Sequence, residues 1–162
     1  MKRLAVLVLA VLLAGCGFKL RGEQPIPVES LFLQVPVNSQ IGAEISRHLR
    51  AVSQVKIVTQ RADAKAIFEL LGERREREVL AINAQGRARE YQLRLVASFR
   101  VMDAEGNELL PVTTLTARRD ISFNETDFLA RENEETLLYR DMQTDLVRQM
   151  INRLAAIKPD AG

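Results

Sequence analysis

Tyr91-Gln92-Leu93-Arg94-Leu95-Val96-Ala97-Ser98-Phe99-Arg100-Val101 repeats with a period of two: Leu93, Leu95, Ala97, Phe99 and Val101 point one way, Arg94, Ser98 and Arg100 the other. Only extended backbone sends alternate side chains to opposite faces, so the stretch is a strand with one apolar face and one polar face. Such a strand needs hydrogen-bonded neighbours, and the sequence supplies one on each side. Asp103-Ala104-Glu105-Gly106-Asn107 holds the residue types of a hairpin turn, and Pro111 to Phe123, with Val112, Thr113, Thr114, Leu115 and Thr116, returns as a partner. Upstream, Ala66 to Ile82 runs into Ala84-Gln85-Gly86, a second turn. Three consecutive antiparallel strands are expected.

Toward the N-terminus, Leu31-Phe32-Leu33-Gln34-Val35 is a short apolar run stopped by Pro36, consistent with a buried strand. Asn38 or Ser39 then offers a helix N-cap, followed by Ile41, Ile45, Leu49 and Val52 at helical spacing. Val55-Lys56-Ile57-Val58-Thr59 is β-branched and partly alternating. A strand, helix, strand opening favours parallel pairing through a right-handed crossover. At the other end, Leu138, Met142, Leu146, Met150 and Leu154, flanked by Val147, Ile151 and Ile157, form a broad apolar helix face that ends before Pro159. At this spacing Met142 and Met150 belong to a helix packed on a sheet. The expected class is α+β: a two-layer sandwich whose mixed, mostly antiparallel sheet of about four to five strands carries two helices on one face.

Within Ala66 to Ile82, the run Glu73-Arg74-Arg75-Glu76-Arg77-Glu78 has no helical apolar stripe. It reads as the solvated outer part of a long strand, where each cross-strand charge pair contributes only tenths of a kcal/mol.

Composition narrows the chemistry. The chain has 162 residues, 47% hydrophobic and 27% charged, which suits one folded domain and excludes wholesale disorder. One cysteine and one histidine cannot build a four-ligand structural zinc site or an internal disulfide. His48 lies beside Ile45 and Leu49 on the first helix and reads as a surface or boundary residue rather than a general base. No nucleophile elbow, Gly-rich phosphate loop or His-Glu-x-x-His stretch occurs, and Glu134-Glu135 is one acidic pair among many charges. An enzyme is not indicated.

The N-terminus decides compartment. Lys2 and Arg3 precede an apolar run from Leu4 to Ala14, then Gly15 and Cys16. This is a secretory signal layout, and the run is about half of the ~20 residues needed to cross a bilayer. Leu13-Ala14-Gly15-Cys16 resembles a bacterial lipobox, which implies cleavage after Gly15 and lipid attachment at Cys16. More than one acyl chain, at about 0.8 kcal/mol per buried CH2, gives a stable anchor, so Cys16 is read as an anchor and not a nucleophile. Gly17 stands where an aspartate usually retains a bacterial lipoprotein in the inner membrane, which implies the outer membrane. In that export context Asn124-Glu125-Thr126 is a chance sequon.

Removing Met1 to Gly15 takes away two basic residues and no acid, which leaves 21 basic and 21 acidic side chains. The sequence pI of about 8.9 therefore carries no argument for nucleic-acid binding. The expected organisation is a signal peptide over 1–15, a lipidated N-terminus and Pro-containing tether over 16–29, a globular domain over 30–158 and a tail over 159–162. Within the tether, Pro25 and Pro27 favour extended backbone from Gly22 to Glu29, a stretch that reaches roughly 20 Å at about 3.1 Å per residue.

Further motifs point to a family. Cys16-Gly17-Phe18-Lys19-Leu20-Arg21-Gly22 resembles the Cys-Gly-aromatic-x-Leu-Arg opening of the LPS-assembly lipoprotein LptE family. Glu90-Tyr91-Gln92-Leu93 at the central strand, Ala130-Arg131-Glu132-Asn133-Glu134 before the last helix, and the Met-containing helix to Leu154 extend the resemblance over the mature chain. It implies a non-catalytic outer-membrane lipoprotein without a cofactor beyond the covalent lipid. Such a protein plugs the LptD β-barrel, works with it to insert lipopolysaccharide into the outer leaflet, and binds lipopolysaccharide.

Guanidinium groups bind phosphate bidentately, which makes Arg87, Arg89 and Arg131 the candidate lipopolysaccharide contacts. Pairing of these arginines with Glu90, Glu132 or Glu134 is the alternative. The competing function is an outer-membrane lipoprotein that regulates a periplasmic cell-wall enzyme.

Overall fold

The computed structural model describes residues 25–52, 55–122 and 128–158. The signal peptide, Cys16 and the start of the tether lie outside the described residues.

The chain order is β1 (Ser30–Gln34), α1 (Gln40–Val52), β2 (Lys56–Val58), a 3-10 turn (Arg61–Asp63), β3 (Ala66–Ile82), β4 (Ala88–Asp103), β5 (Glu108–Ser122) and α2 (Phe128–Ala155). The five strands form one sheet in the order β2-β1-β3-β4-β5. β1 pairs in parallel with both β2 and β3, while β3, β4 and β5 form an antiparallel meander. The architecture is the expected α+β class, with β1 inserted beside β3 and β2 at the edge.

The apolar sides of β1, β3, β4 and β5 share one core with the helices. Leu31, Ile41, Ile45, Leu49, Phe68, Leu93, Phe99, Met142, Leu146, Met150 and Leu154 are all fully buried in it. The Phe68 and Phe99 rings stack with centroids 5.3 Å apart. A pair of this kind contributes about 0.5–1.5 kcal/mol beyond its buried area. Packing extends back into the Pro-containing segment, where Ile26 is buried against the same core and Val28 rests on it. A smaller apolar cluster of Ala64, Ile67 and Met102, with Phe32 and Val58, lies beside the 3-10 turn.

Two differences from the sequence reading have physical causes. β5 begins at Glu108, ahead of Pro111, because its pairing with β4 shifts from Phe99↔Thr113 to Val101↔Leu110. Pro111 falls in that irregularity, where a missing N–H costs no ladder bond. α2 begins at Phe128, so Ala130 to Glu134 belong to its first turns rather than preceding it. No apolar stripe marks those turns, which is why the period alone placed the helix later.

A bulge in β3 sets the other side of the site. Leu70 pairs with Phe99 and Gly72 with Ser98, leaving Leu71 as an extra residue. N-terminal to it, Ala66, Phe68 and Leu70 face the helices. C-terminal to it, Glu73, Arg75 and Arg77 pair with Ala97, Leu95 and Leu93 and so take over that face. The charged run is solvent-exposed almost throughout, as expected, but its odd members also reach the helices.

Candidate functional site

The β3–β4 hairpin ends in a turn fixed by Asn83. Its Oδ1 accepts from the N–H groups of Gln85 at 3.0 Å and Arg87 at 2.9 Å. The Gly86 N–H donates to the Asn83 carbonyl at 2.9 Å, and Gly86 has φ 75°, the left-handed region a side chain disfavours. The β4–β5 turn is built alike. Asp103 Oδ1 accepts from the Asn107 N–H at 2.7 Å, and Gly106 has φ 94°. The Asn107 side chain, also bonded to Asp103, is the main cause holding that carboxyl below its usual pKa.

Arg87 and Arg89 sit at the Asn83 turn, both exposed. Just below it the ladder is irregular: Val79 pairs with Tyr91, Ala81 with Glu90 and Ile82 with Ala88. Leu80 on β3 and Arg89 on β4 are therefore the unmatched residues of two successive bulges. Bulges twist a strand end and re-aim its side chains. Arg89 has no ion-pair partner among the described residues. Val79, Leu80 and Ile82 are exposed on the same tip, so cations and apolar surface lie side by side.

α2 brings Arg131 to this end of the molecule. Ser122 at the end of β5 pairs with Glu90, so the chain enters α2 from the hairpin-tip end. Along α2, Tyr139 donates to the Glu76 carbonyl at 3.1 Å and Glu135 pairs with Arg77 at 3.7 Å. Lower residue numbers in the helix therefore lie nearer the tip, and Arg131 is one turn beyond Glu135. The backbone thus gathers the three arginines at one end of the sheet, while the Arg131 side chain and Cys16 lie outside what the structure describes.

Beneath the tip, cations and aromatic rings fasten β3 to α2 on one side and to β4 on the other. The Arg75 guanidinium lies 4.7 Å from the centroid of the Tyr139 ring, and that of Arg77 lies 4.9 Å from the Tyr91 ring. Such contacts contribute about 0.5–1 kcal/mol when exposed and more when dry. Burial pushes the Tyr139 phenol above its usual pKa, with Glu135 adding to the rise and Arg75 and Arg77 opposing it. Sequence reasoning missed Asn83, Arg77 and Glu135 as builders of this end. The shared pattern of Asn83-Ala-x-Gly and Asp103-Ala-x-Gly was the available signal for the turn. Nothing local marks the contact of Arg77 with Glu135, which the bulge at Leu71 makes possible.

Among the described residues there is no group of three or more side chains suited to hold a metal ion, and no helix is long and apolar enough to cross a membrane.

Comparison with known proteins agrees with the fold and the motifs. Residues 28–154 match the family described as LptE, lipopolysaccharide-assembly. The LPS-assembly lipoprotein LptE of Pectobacterium atrosepticum is 30% identical over 158 residues, covering 94% of this chain and 84% of that protein. That of Photorhabdus laumondii is 29% identical, covering 92% and 82%. Among solved structures, lipoprotein B from Nitrosomonas europaea is 30% identical with a TM-score of 0.75, covering 86% of this chain and 91% of its own. The rare lipoprotein B from Shewanella oneidensis has the same fold, with a TM-score of 0.68 over 78% of this chain and 94% of its own. With the family matched across both helices and all five strands, the chain belongs to the LptE family of lipopolysaccharide-assembly lipoproteins.

Proposed function

We propose that the protein is anchored through acyl chains on Cys16 to the periplasmic side of the outer membrane and lodges in the lumen of the LptD β-barrel. There it helps deliver lipopolysaccharide to the outer leaflet, and Arg87, Arg89 and Arg131 at the hairpin-tip end contact the lipid's phosphates. The family match over residues 28–154 carries this reading. It is not a catalyst in this account.

Three features support it. A mature chain with 21 basic and 21 acidic side chains suits the polar interior of a large barrel, where plug charges meet wall charges rather than lipid. The tip joins exposed guanidinium groups to exposed Val79, Leu80 and Ile82, a surface matched to an amphiphile with anionic and apolar parts. The turn at Asn83 and the contacts of Tyr139 and Glu135 fix that surface in advance, which lowers the entropy cost of binding.

The test is mild-detergent purification of the tagged, lipidated protein from outer membranes, with mass spectrometry of what remains bound. A large β-barrel recovered in stoichiometric amount is the expected result. Recovery of a cell-wall enzyme alone would overturn the barrel reading and favour a regulatory lipoprotein.

A further inference from the structure

α1 and α2 diverge to leave an open groove of about 690 Å³ between them, on a surface separate from the hairpin tip. Its small members are Ala43 and Ala51, and each helix contributes one guanidinium group to the lining, Arg47 from α1 and Arg140 from α2. Both arginines are exposed, and neither has an ion-pair or hydrogen-bond partner among the described residues. Several cations on the sheet do have carboxylate partners: Arg77 with Glu135, Arg94 with Glu78, Arg100 with Glu69 and Arg119 with Asp145.

The groove is held open in a fixed shape. Glu44 of α1 accepts from Thr144 Oγ1 at 2.9 Å and from Gln143 Nε2 of α2, and Gln143 also donates to the Gln40 carbonyl at 3.2 Å. These bonds commit the Glu44 carboxylate to the wall and leave the two arginines as the groove's uncommitted charges.

We propose that this groove receives an extended, acidic segment of a protein partner, with carboxylates of the segment bound by Arg47 and Arg140. Several features favour polypeptide over a phosphate-bearing lipid. Glu44 places a negative charge in the wall, which opposes a multiply charged phosphate more than single carboxylates spaced along a chain. The Gln143 and Thr144 side chains add amide and hydroxyl groups suited to a peptide backbone. From Gln40 to Ala51 the α1 wall is about 16 Å long at 1.5 Å per residue, a span of about five extended residues. The proposal does not require the partner to be LptD.

The test is photo-crosslinking in cells that make the full chain, with p-benzoylphenylalanine at Ala51 and, separately, at Ala43, and sequencing of the joined segment by mass spectrometry. The expected adduct is to a polypeptide stretch containing at least two Asp or Glu residues. Its yield should fall about tenfold or more in Arg47→Glu/Arg140→Glu and return when those acids are changed to Lys. Arg47→Gln/Arg140→Gln, checked for an unaltered melting curve, guards against misfolding of the reversed variant. An adduct only to lipopolysaccharide or phospholipid, no adduct at either position, or a polypeptide adduct indifferent to charge reversal would overturn the proposal. Each of these is distinct from the presence or absence of a co-purifying barrel.

Discussion

Glu73 Oε2 lies 2.7 Å from Ser39 Oγ, so a residue in mid-strand completes a helix N-cap that lies 34 positions earlier in the chain. Ser39 Oγ accepts from the Gly42 N–H at 2.7 Å while donating to Glu73. Glu73 also accepts from the N–H groups of Gln40 at 3.3 Å and Ile41 at 3.4 Å. Three of the helix's otherwise unpaired donors are satisfied this way, and an anion stands at the positive end of the helix dipole.

Replacing Glu73 should therefore loosen α1 from the sheet. Glu73→Ala is expected to lower stability by about 1 kcal/mol, with Glu73→Gln, which keeps an acceptor, losing less. Urea unfolding followed by far-UV circular dichroism measures both. Equal loss in the two variants would show that charge, not acceptor geometry, matters.

Tyr139 predicts a response to alkali. Its phenol is held neutral to higher pH in the folded chain than in the unfolded one, chiefly because the buried site lacks water. Above about pH 10 the unfolded chain gives up a proton that the folded chain retains, so stability falls as pH rises. Tyr139→Phe should lessen that slope between about pH 9 and about pH 11, at the cost of the bond to Glu76 at neutral pH. Melting temperatures across that range decide it, and an unchanged slope would assign the alkaline loss to other groups.

Charge reversal at Arg87, Arg89 and Arg131 together is expected to weaken lipopolysaccharide binding about tenfold or more, with circular dichroism unaltered. Arg87 and Arg89 are exposed and outside the core, and the turn is held by Asn83 and Gly86 instead. Unchanged binding would remove the hairpin tip from the account.

Cys16→Ala should abolish lipid attachment. Labelling cells with a fatty acid checks this directly, and a variant that still takes up label would contradict the lipobox reading.

Much of the fold was legible because its signals are local and periodic. The alternation from Leu93 to Val101 defined the central strand, Asn38 or Ser39 marked the start of α1, where the structure has Ser39 as the cap, and the stripe from Leu138 to Leu154 defined the buried part of α2. The parallel pairing of β1 with β2 followed from the intervening helix. What stayed hidden was non-local. No local pattern says that β1 also pairs with β3, or that Leu71 is unmatched, so the partners of Glu73, Arg75 and Arg77 could not be read from their own segment. For the candidate site, the turn near Arg87 and Arg89 was visible, but the bulges that set them at its base were not. The groove of Arg47 and Arg140 was equally invisible, since it joins residues about 90 positions apart through helix packing alone.

The unmatched Leu71 also governs which length changes β3 tolerates. Removing that single residue would close the bulge and leave Glu73, Arg75 and Arg77 on the helix face, since Leu70↔Phe99 and Gly72↔Ser98 would then be successive pairs; removing one residue just beyond it would instead turn the even-numbered members of the charged run toward the helices. Adding or removing two residues beyond the bulge preserves the phase and merely lengthens or shortens the reach of the hairpin. With the bulge in place the strand thus permits its tip to vary in height only in paired steps, and a chain that differs there by an odd number must gain or lose a bulge.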